Sequence, residues 1–504
     1  MSVFSKNTRT GRFFRTLSSS YVLLLAATVY SLGVVPIILT YVGTAKLGLW
    51  SLIVQFGTYL TLLDAGLSNT CIRQFVGPVV RKDPRDLNEK FQNALVLASV
   101  QGIFIAVGGL AGGILVLWLG IPPEQAADFR LLFLAQCGLV AVEFPFRPFN
   151  ALLLARQRFE FSYLCTAVGM ILSLGVVGLG MRGGLGLWSL VLAGAFQAMV
   201  KISVALFCVS RFWGIRGFFS CCHVRLETMR RLLAESGFFF SGTFFGTLGG
   251  MAQSTLLSRW FGLDGVAAWS VGSKVANLLS QLLSKFYESS FAGLSELFES
   301  GRLDVLVRRL GQLYGWVMGL SLFCATGVCF FNGDFVRLWT GARVDWPPAG
   351  DWVVALWLVG LTASRGLAEQ AKILLVWRWI RLGPATEFVV WALLCFPLIH
   401  LFSMTGFILS MAIAPLVSSG MTYWAGLRSK YRQVPANLIS QDAASFYFVG
   451  IALFLFAVVL GPFIAYPIQR LLIWSFAMLM VGLFFLPRIR KIISTIYLGG
   501  SRIP

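Results

Sequence analysis

Only 12% of this 504-residue chain is charged, about half the share of a soluble domain. Acids are the scarcest: 21 Asp and Glu stand against 41 Lys and Arg, with two histidines. So little polar material cannot cover a fold of this size in water, which excludes an ordinary soluble protein. There is no P-loop, no GxSxG, no HExxH and no GxGxxG placed between a strand and a helix. An ATP-driven pump is left without support. No loop is long enough for a soluble domain. The largest outer loop, about 333–349, holds only Asp334 and Asp345 as acids. The nine cysteines are an odd number. Cys137, Cys165, Cys208, Cys324, Cys329 and Cys395 fall inside apolar runs and read as packing residues. Cys71, Cys221 and Cys222 fall on the reducing side, where disulfides do not persist. Cys221-Cys222-His223 lacks the second ligand pair that a zinc site needs.

What the chain does have is apolar length: 57% of it is hydrophobic. Fourteen runs each suffice to cross ~30 Å of hydrocarbon as a helix: roughly 17–41, 47–68, 92–119, 130–154, 161–181, 185–210, 236–259, 266–295, 310–332, 350–376, 385–403, 405–426, 443–465 and 468–487. The runs are continuous, not alternating, so helices are expected and a barrel is not. The net charge of +20 would suit a nucleic-acid binder, but its placement rejects that reading. Most of the bases cluster at the termini and in the even-numbered loops, such as Lys6 to Arg15, Arg81 to Lys90, Arg225 to Arg231 and Arg488 to Lys491. The odd loops hold few, among them Lys46, Arg130 and Arg259. That alternation places both termini in the cytoplasm, and the surplus charge serves topology and anionic lipid headgroups. Phe4, Phe13 and Phe14 among the first bases suit a short interfacial helix.

A local pattern recurs. Residues 41–52 read YVGTAKLGLWSL and residues 260–271 read WFGLDGVAAWSV, pairing Gly43 with Gly262, Trp50 with Trp269 and Ser51 with Ser270. An even number of runs separates the copies, so both face the same way across the membrane. Parallel repeats of this kind build transporters of two lobes with the substrate path between them. Residues 185–190 repeat LGLWSL letter for letter, so the hairpin itself is also generic. The expected fold is an all-α polytopic membrane protein of about fourteen transmembrane helices, in two pseudo-symmetric six-helix lobes plus two C-terminal helices. The expected boundaries are an N-lobe over 1–210, a basic cytoplasmic linker over 211–233, a C-lobe over 234–427, and a last pair of helices with a basic tail over 428–504.

Ionisable residues inside a span cost ~2.5–3.5 kcal/mol each on insertion scales and mark pathways by default. Here they form stripes. Ser270, Lys274, Asn277, Gln281, Lys285 and Glu288 recur at steps of three and four, which puts them on one helix face. Lys274 and Lys285 lie ~16 Å apart along that axis. Such a face lines a wet cavity, or else belongs to an ion-pair network in which Glu288 neutralises Lys285. Arg365, Glu369 and Lys372 form a second stripe. Gln136, Glu143, Arg147 and Asn150 form a third, interrupted by Pro145 and Pro148, which are expected to kink it. Glu143 and Arg147 read equally as an internal pair and as substrate ligands. Gln197 and Lys201 add a fourth polar face. Asp64 stands alone in the second run, suited to binding a coupling cation, capping a helix or pairing with a neighbour's base. Glu387 completes five acids against six bases. Lys and Arg spaced in a low-dielectric cavity suit phosphate or uronate oxygens.

GLWSLIVQFGTYLTLLDAGLSNTCIRQF (residues 48–75) resembles the second-helix region of bacterial polysaccharide flippases, the Wzx-like branch of the superfamily that includes MATE exporters and lipid II flippases. FFFSGTFFGTLGGMAQSTLLSRWFGLDGVAAWSVGSKVANLL (residues 238–279) is similar to the start of their second lobe. The resemblance implies a V of two lobes in the bacterial inner membrane, opening alternately to cytoplasm and periplasm. The implied cargo is an undecaprenyl-diphosphate-linked oligosaccharide, the implied partners are polysaccharide polymerase or assembly proteins, and no cofactor is implied beyond a coupling H⁺ or Na⁺. On that reading Lys274, Asn277, Gln281, Lys285, Arg365, Lys372, Arg147 and Lys201 line the central cavity, and Asp64, Glu143, Glu288 and Glu369 are the ion-coupling candidates. Two other readings stay open. A MATE-type drug or cation antiporter would centre on a lone acid in an apolar pocket. A membrane enzyme acting on polyprenyl-linked glycans would want carboxylates on a sizeable outer loop, which is absent. A major-facilitator exporter would carry a Gly-Asp-Arg signature after the second span, which is also absent.

Overall fold

The computed structural model describes residues 9–64, 66–156, 159–213, 224–430, 441–460 and 475. Every regular element among them is helical. The chain forms two compact units that divide after Ser270. Among the described residues, seven helices are long and apolar enough to cross a membrane: Ser18–Tyr41, Pro84–Gly109, Pro123–Ala155, Phe161–Arg182, Trp188–Ser210, Leu303–Thr340 and Leu382–Ser418. The last of the seven covers two runs. The second run folds as a helix of 17 residues, and the eighth and tenth carry the polar stripes that lower their apolarity. The run at 468–487, the core of the basic linker and the basic tail lie outside the described residues.

The first unit holds α1 (Arg9–Tyr41), α2 (Thr44–Leu60), α3 (Leu67–Arg81), α4 (Pro84–Gly109), α5 (Gly112–Leu119), α6 (Pro123–Glu143), α7 (Arg147–Ala155), α8 (Phe159–Arg182), α9 (Trp188–Trp213) and most of α10 (Leu226–Gly272). Asp83 caps α4 by accepting from the Arg85 and Asp86 amides, with Pro84 at the first helical position, a favoured start. Phe75, Phe91, Phe149 and Leu152 form the fully buried centre of the α3–α4–α7 cluster. The Phe91 and Phe149 rings meet edge to face at 4.8 Å. Outward, Leu117, Leu179 and Ile114 are each more than 70% exposed, a surface that only lipid would cover.

Both glycines of the repeat break helices. Gly43, between α1 and α2, has φ +87, and Gly262, inside α10, has φ +66. Side chains with a Cβ resist that region, and glycine does not. Serine-rich contacts tie α10 down within the unit. Ser254 donates to Gln55 at 2.6 Å, and Ser258 donates to the Leu119 carbonyl at 2.9 Å. The two copies of the repeat also touch: a Cβ on Gly48 would fall on the carbonyl of Leu263.

The second unit holds α11 (Lys274–Glu299), α12 (Leu303–Thr340), α13 (Gly350–Ile373), α14 (Trp377–Lys430) and α15 (Gln441–Leu460). α12 packs on α11, α13 and α15, and α13 packs on α14. Asp351 pins the loop between α12 and α13. It accepts from Asn332 Nδ2 at 2.9 Å, Trp346 Nε1 at 2.8 Å and the Gly333 amide at 2.9 Å. The Trp346 ring occupies the space where a Cβ on Gly272 would be. α14 breaks at Ser403, φ +53, which separates the two runs it contains.

Candidate functional site

The third stripe breaks where the prolines predict it. α6 ends at Glu143, a single 3₁₀ turn covers Phe144–Phe146, and α7 starts at Arg147. Glu143 and Arg147 do not pair with each other across this break. Arg147 reaches Asp64 at 3.1 Å, and its guanidinium lies 3.7 Å over the Phe144 ring. Asp64 also accepts from the Ser68 hydroxyl at 2.8 Å and from the Ser68 amide at 3.3 Å. Asp64 therefore pairs with Arg147 and accepts from Ser68 in the first turn of α3. Glu143 faces Lys201 on α9 at 3.6 Å, a looser pair whose side chains are 30% and 47% exposed.

These groups border a cavity of about 330 Å³ inside the first unit. α1, α3, α6, α7, α8 and α9 wall it. Its polar side presents Glu143, Arg147, Asn150, Ser162, Tyr163 and Lys201, and its apolar side includes Ile72, Leu153, Leu154 and Ile202. Asn150 accepts from Ser162 at 2.9 Å. The sequence missed Ser68, Ser162 and Tyr163, which are common residue types that only folding brings beside the charges. Gln197, a turn from Lys201, is instead committed to Ser173 at 2.7 Å.

In the second unit the long stripe is shorter than its spacing predicts. α10 ends at Gly272 and α11 starts at Lys274, so a turn at Ser273 separates Ser270 from the rest. Ser270 donates back to Ala267 within its own helix. Asn277 donates to Ser273 at 3.3 Å, and Gln281 is exposed. Lys285 is neutralised by Glu288 at 2.6 Å, and Lys372 by Glu369 at 2.6 Å. Two cations differ. Lys274 is half-buried and has no carboxylate in ion-pair range among the described residues. Arg365 donates through Nη1 to Ser280 Oγ at 2.8 Å and Ser284 Oγ at 3.0 Å. No carboxylate lies within 4 Å of it among the described residues, but Glu387 on α14 and Glu288 on α11 act on it electrostatically at longer range. Ser280 and Ser284 sit four residues apart, and that spacing is the signal that could have found them.

A family model described as polysaccharide biosynthesis protein matches residues 16–292. The chain belongs to that family. No curated protein matches it. Among solved structures, the lipid II flippase MurJ in an inward closed conformation is similar at TM-score 0.69 and 11% identity, over 94% of this chain and 100% of that one. The Vibrio cholerae MATE transporter VcmN is similar at TM-score 0.57 and 14% identity, over 84% and 99%. A Pyrococcus furiosus transporter of the MOP superfamily, whose binding pocket is described as reversed in polarity, is similar at TM-score 0.57 and 13% identity, over 83% and 95%. The family member described here therefore has the fold of MOP-superfamily membrane proteins.

Proposed function

We propose that this chain is a flippase carrying an undecaprenyl-diphosphate-linked oligosaccharide across the inner membrane, for O-antigen, capsule or exopolysaccharide assembly. The observation that carries the reading is the pair Arg365 and Lys274, two cations with no carboxylate within 4 Å among the described residues, Arg365 feeling Glu387 and Glu288 only at longer range. A diphosphate cannot cross hydrocarbon unaided, because its charges would lose their hydration. Arg and Lys side chains replace that hydration, Arg by a forked pair of donors. The serines hold one nitrogen of Arg365 and leave the others for a ligand. Family membership supplies polysaccharide biosynthesis as the context, and a fold shared with a lipid II flippase is compatible with a lipid-linked cargo.

On this reading the lobes fall at 1–210 and 234–427, joined by the basic linker 211–233 and followed by 428–504, with both termini cytoplasmic. Lys274 and Arg365 meet the phosphates. Asn277, Gln281, Lys285, Lys372, Arg147 and Lys201 line the wider path, and Asp64, Glu143, Glu288 and Glu369 are the groups available to couple transport to H⁺ or Na⁺. Alternating access moves the head group while the prenyl tail stays in lipid. Polymerase or assembly proteins would receive the product.

The test is depletion of this protein with analysis of lipid-linked glycans. Undecaprenyl-diphosphate oligosaccharide should collect on the cytoplasmic leaflet while surface polysaccharide falls. Unchanged surface glycan with altered resistance to cationic compounds would replace this reading by the drug or cation antiporter. New glycosidic bonds made by the purified protein would replace it by a membrane enzyme.

A further inference from the structure

The cavity of the first unit differs in charge from the cations of the second. Each full charge on its wall already has a counter-ion: Arg147 has Asp64 at 3.1 Å, and Lys201 has Glu143 at 3.6 Å. The wall itself carries Arg147, Lys201 and Glu143, and Asp64 just outside it offsets Arg147. A diphosphate entering it would face the Glu143 carboxylate and would have to draw Arg147 away from Asp64. Asp64 is held by two further bonds from Ser68, so that exchange is costly. An uncharged ligand rich in hydroxyls meets no such conflict. Each hydroxyl both donates and accepts. Glu143 and Asn150 Oδ1 offer acceptors, Lys201 and Asn150 Nδ2 offer donors, and Tyr163 lines the same wall. Phe146 and Tyr163 add aromatic surface suited to the apolar face of a sugar ring. At about 330 Å³ the space lies at the low end for ligand sites and suits a ring or two, not a long glycan.

We infer that this cavity is a saccharide subsite that holds an uncharged sugar residue of the cargo, with Glu143, Asn150, Tyr163 and Lys201 as its ligands. The inference rests on the flippase reading. Arg365 and Lys274 hold the diphosphate, the first-unit cavity selects the sugar, and Glu143 becomes a sugar ligand in place of a coupling group. The cavity flanks the end of α7 and the start of α8, beside the basic loop at Arg156. Charge asymmetry places that loop on the cytoplasmic side, where a flippase collects its cargo.

The test measures binding by the full-length protein in nanodiscs of two probes, undecaprenyl diphosphate and the undecaprenyl-diphosphate oligosaccharide extracted from depleted cells. The glycosylated probe should bind the wild type more tightly than the bare one. Asn150→Ala and Lys201→Met should each remove about tenfold of that sugar-dependent gain, the scale of a lost hydrogen bond or two, and leave the bare probe within about twofold. Tyr163→Phe, which removes one hydroxyl only, should act in the same direction more weakly and serves if the larger changes fail to fold. Arg365→Gln should weaken both probes alike. Equal weakening of both probes by Asn150→Ala and Lys201→Met would overturn the inference, as would equal wild-type affinity for the two probes. Wild-type protein that binds neither probe would remove the flippase reading together with it.

Discussion

The two units handle intramembrane charge differently. In the first, ion pairs cross between elements: Asp64 with Arg147, and Glu143 with Lys201. In the second the close pairs form within one helix, three residues apart, Lys285 with Glu288 and Glu369 with Lys372, and only the longer-range coupling of Arg365 to Glu387 and Glu288 crosses between helices. A crossing pair ties helices together and resists their separation. An intrahelical pair neutralises its own charge and leaves the helix free to move as a body. The first arrangement builds a fixed pocket. The second quiets four charges within their own helices.

The largest effect that would break this contrast is loss of the tightest crossing pair. Asp64→Ala strands Arg147 in a partly buried site and should cost about 3 kcal/mol, the low end for breaking a buried pair. A double-mutant cycle with Arg147→Gln, read from thermal unfolding in nanodiscs, should recover most of that loss as coupling. Next comes Arg365→Gln, which should lower transport of the lipid-linked glycan by about 30-fold, or ~2 kcal/mol for a charged hydrogen-bonding group. Its unfolding midpoint should stay near that of the wild type, and normal transport at normal abundance would remove Arg365 from the phosphate site. The Glu143–Lys201 pair is longer and half exposed, so Glu143→Gln should cost only about 0.5 kcal/mol of stability. The smallest effect is expected at Glu288→Gln, about 0.3 kcal/mol for an intrahelical pair. If Glu288→Gln destabilises as strongly as Asp64→Ala, the contrast between the units fails.

Much of this was legible from spacing. The glycines of the repeat announced helix breaks at Gly43 and Gly262, because positive φ is a local demand with a local residue signature. Partner choice was not legible. Asp64 and Arg147 are distant in sequence, and nothing local distinguishes that pair from Glu143 with Arg147. Nor did the stripe show that α10 and α11 part at Ser273, since serine carries no strong break signal. The same holds at Ser403, where a residue other than glycine takes positive φ. Arg365 was legible as a charge out of place, but the hydroxyl pair that holds it was lost among many serines. Direct pairing within α11 and α13 was legible from three-residue spacing, and those pairs turned out to be the least informative about ligands.

The close approach of Gly48 to Leu263 reaches beyond packing. These residues belong to two copies of one segment, and each copy forms part of the other's surroundings. A duplicated stretch usually gains freedom, because one copy can drift while the other keeps its role. Here drift in either copy alters the environment of its twin, so substitutions at the two sites should show epistasis in place of independence. A chimera that exchanges one segment alone should fold worse than one that exchanges both.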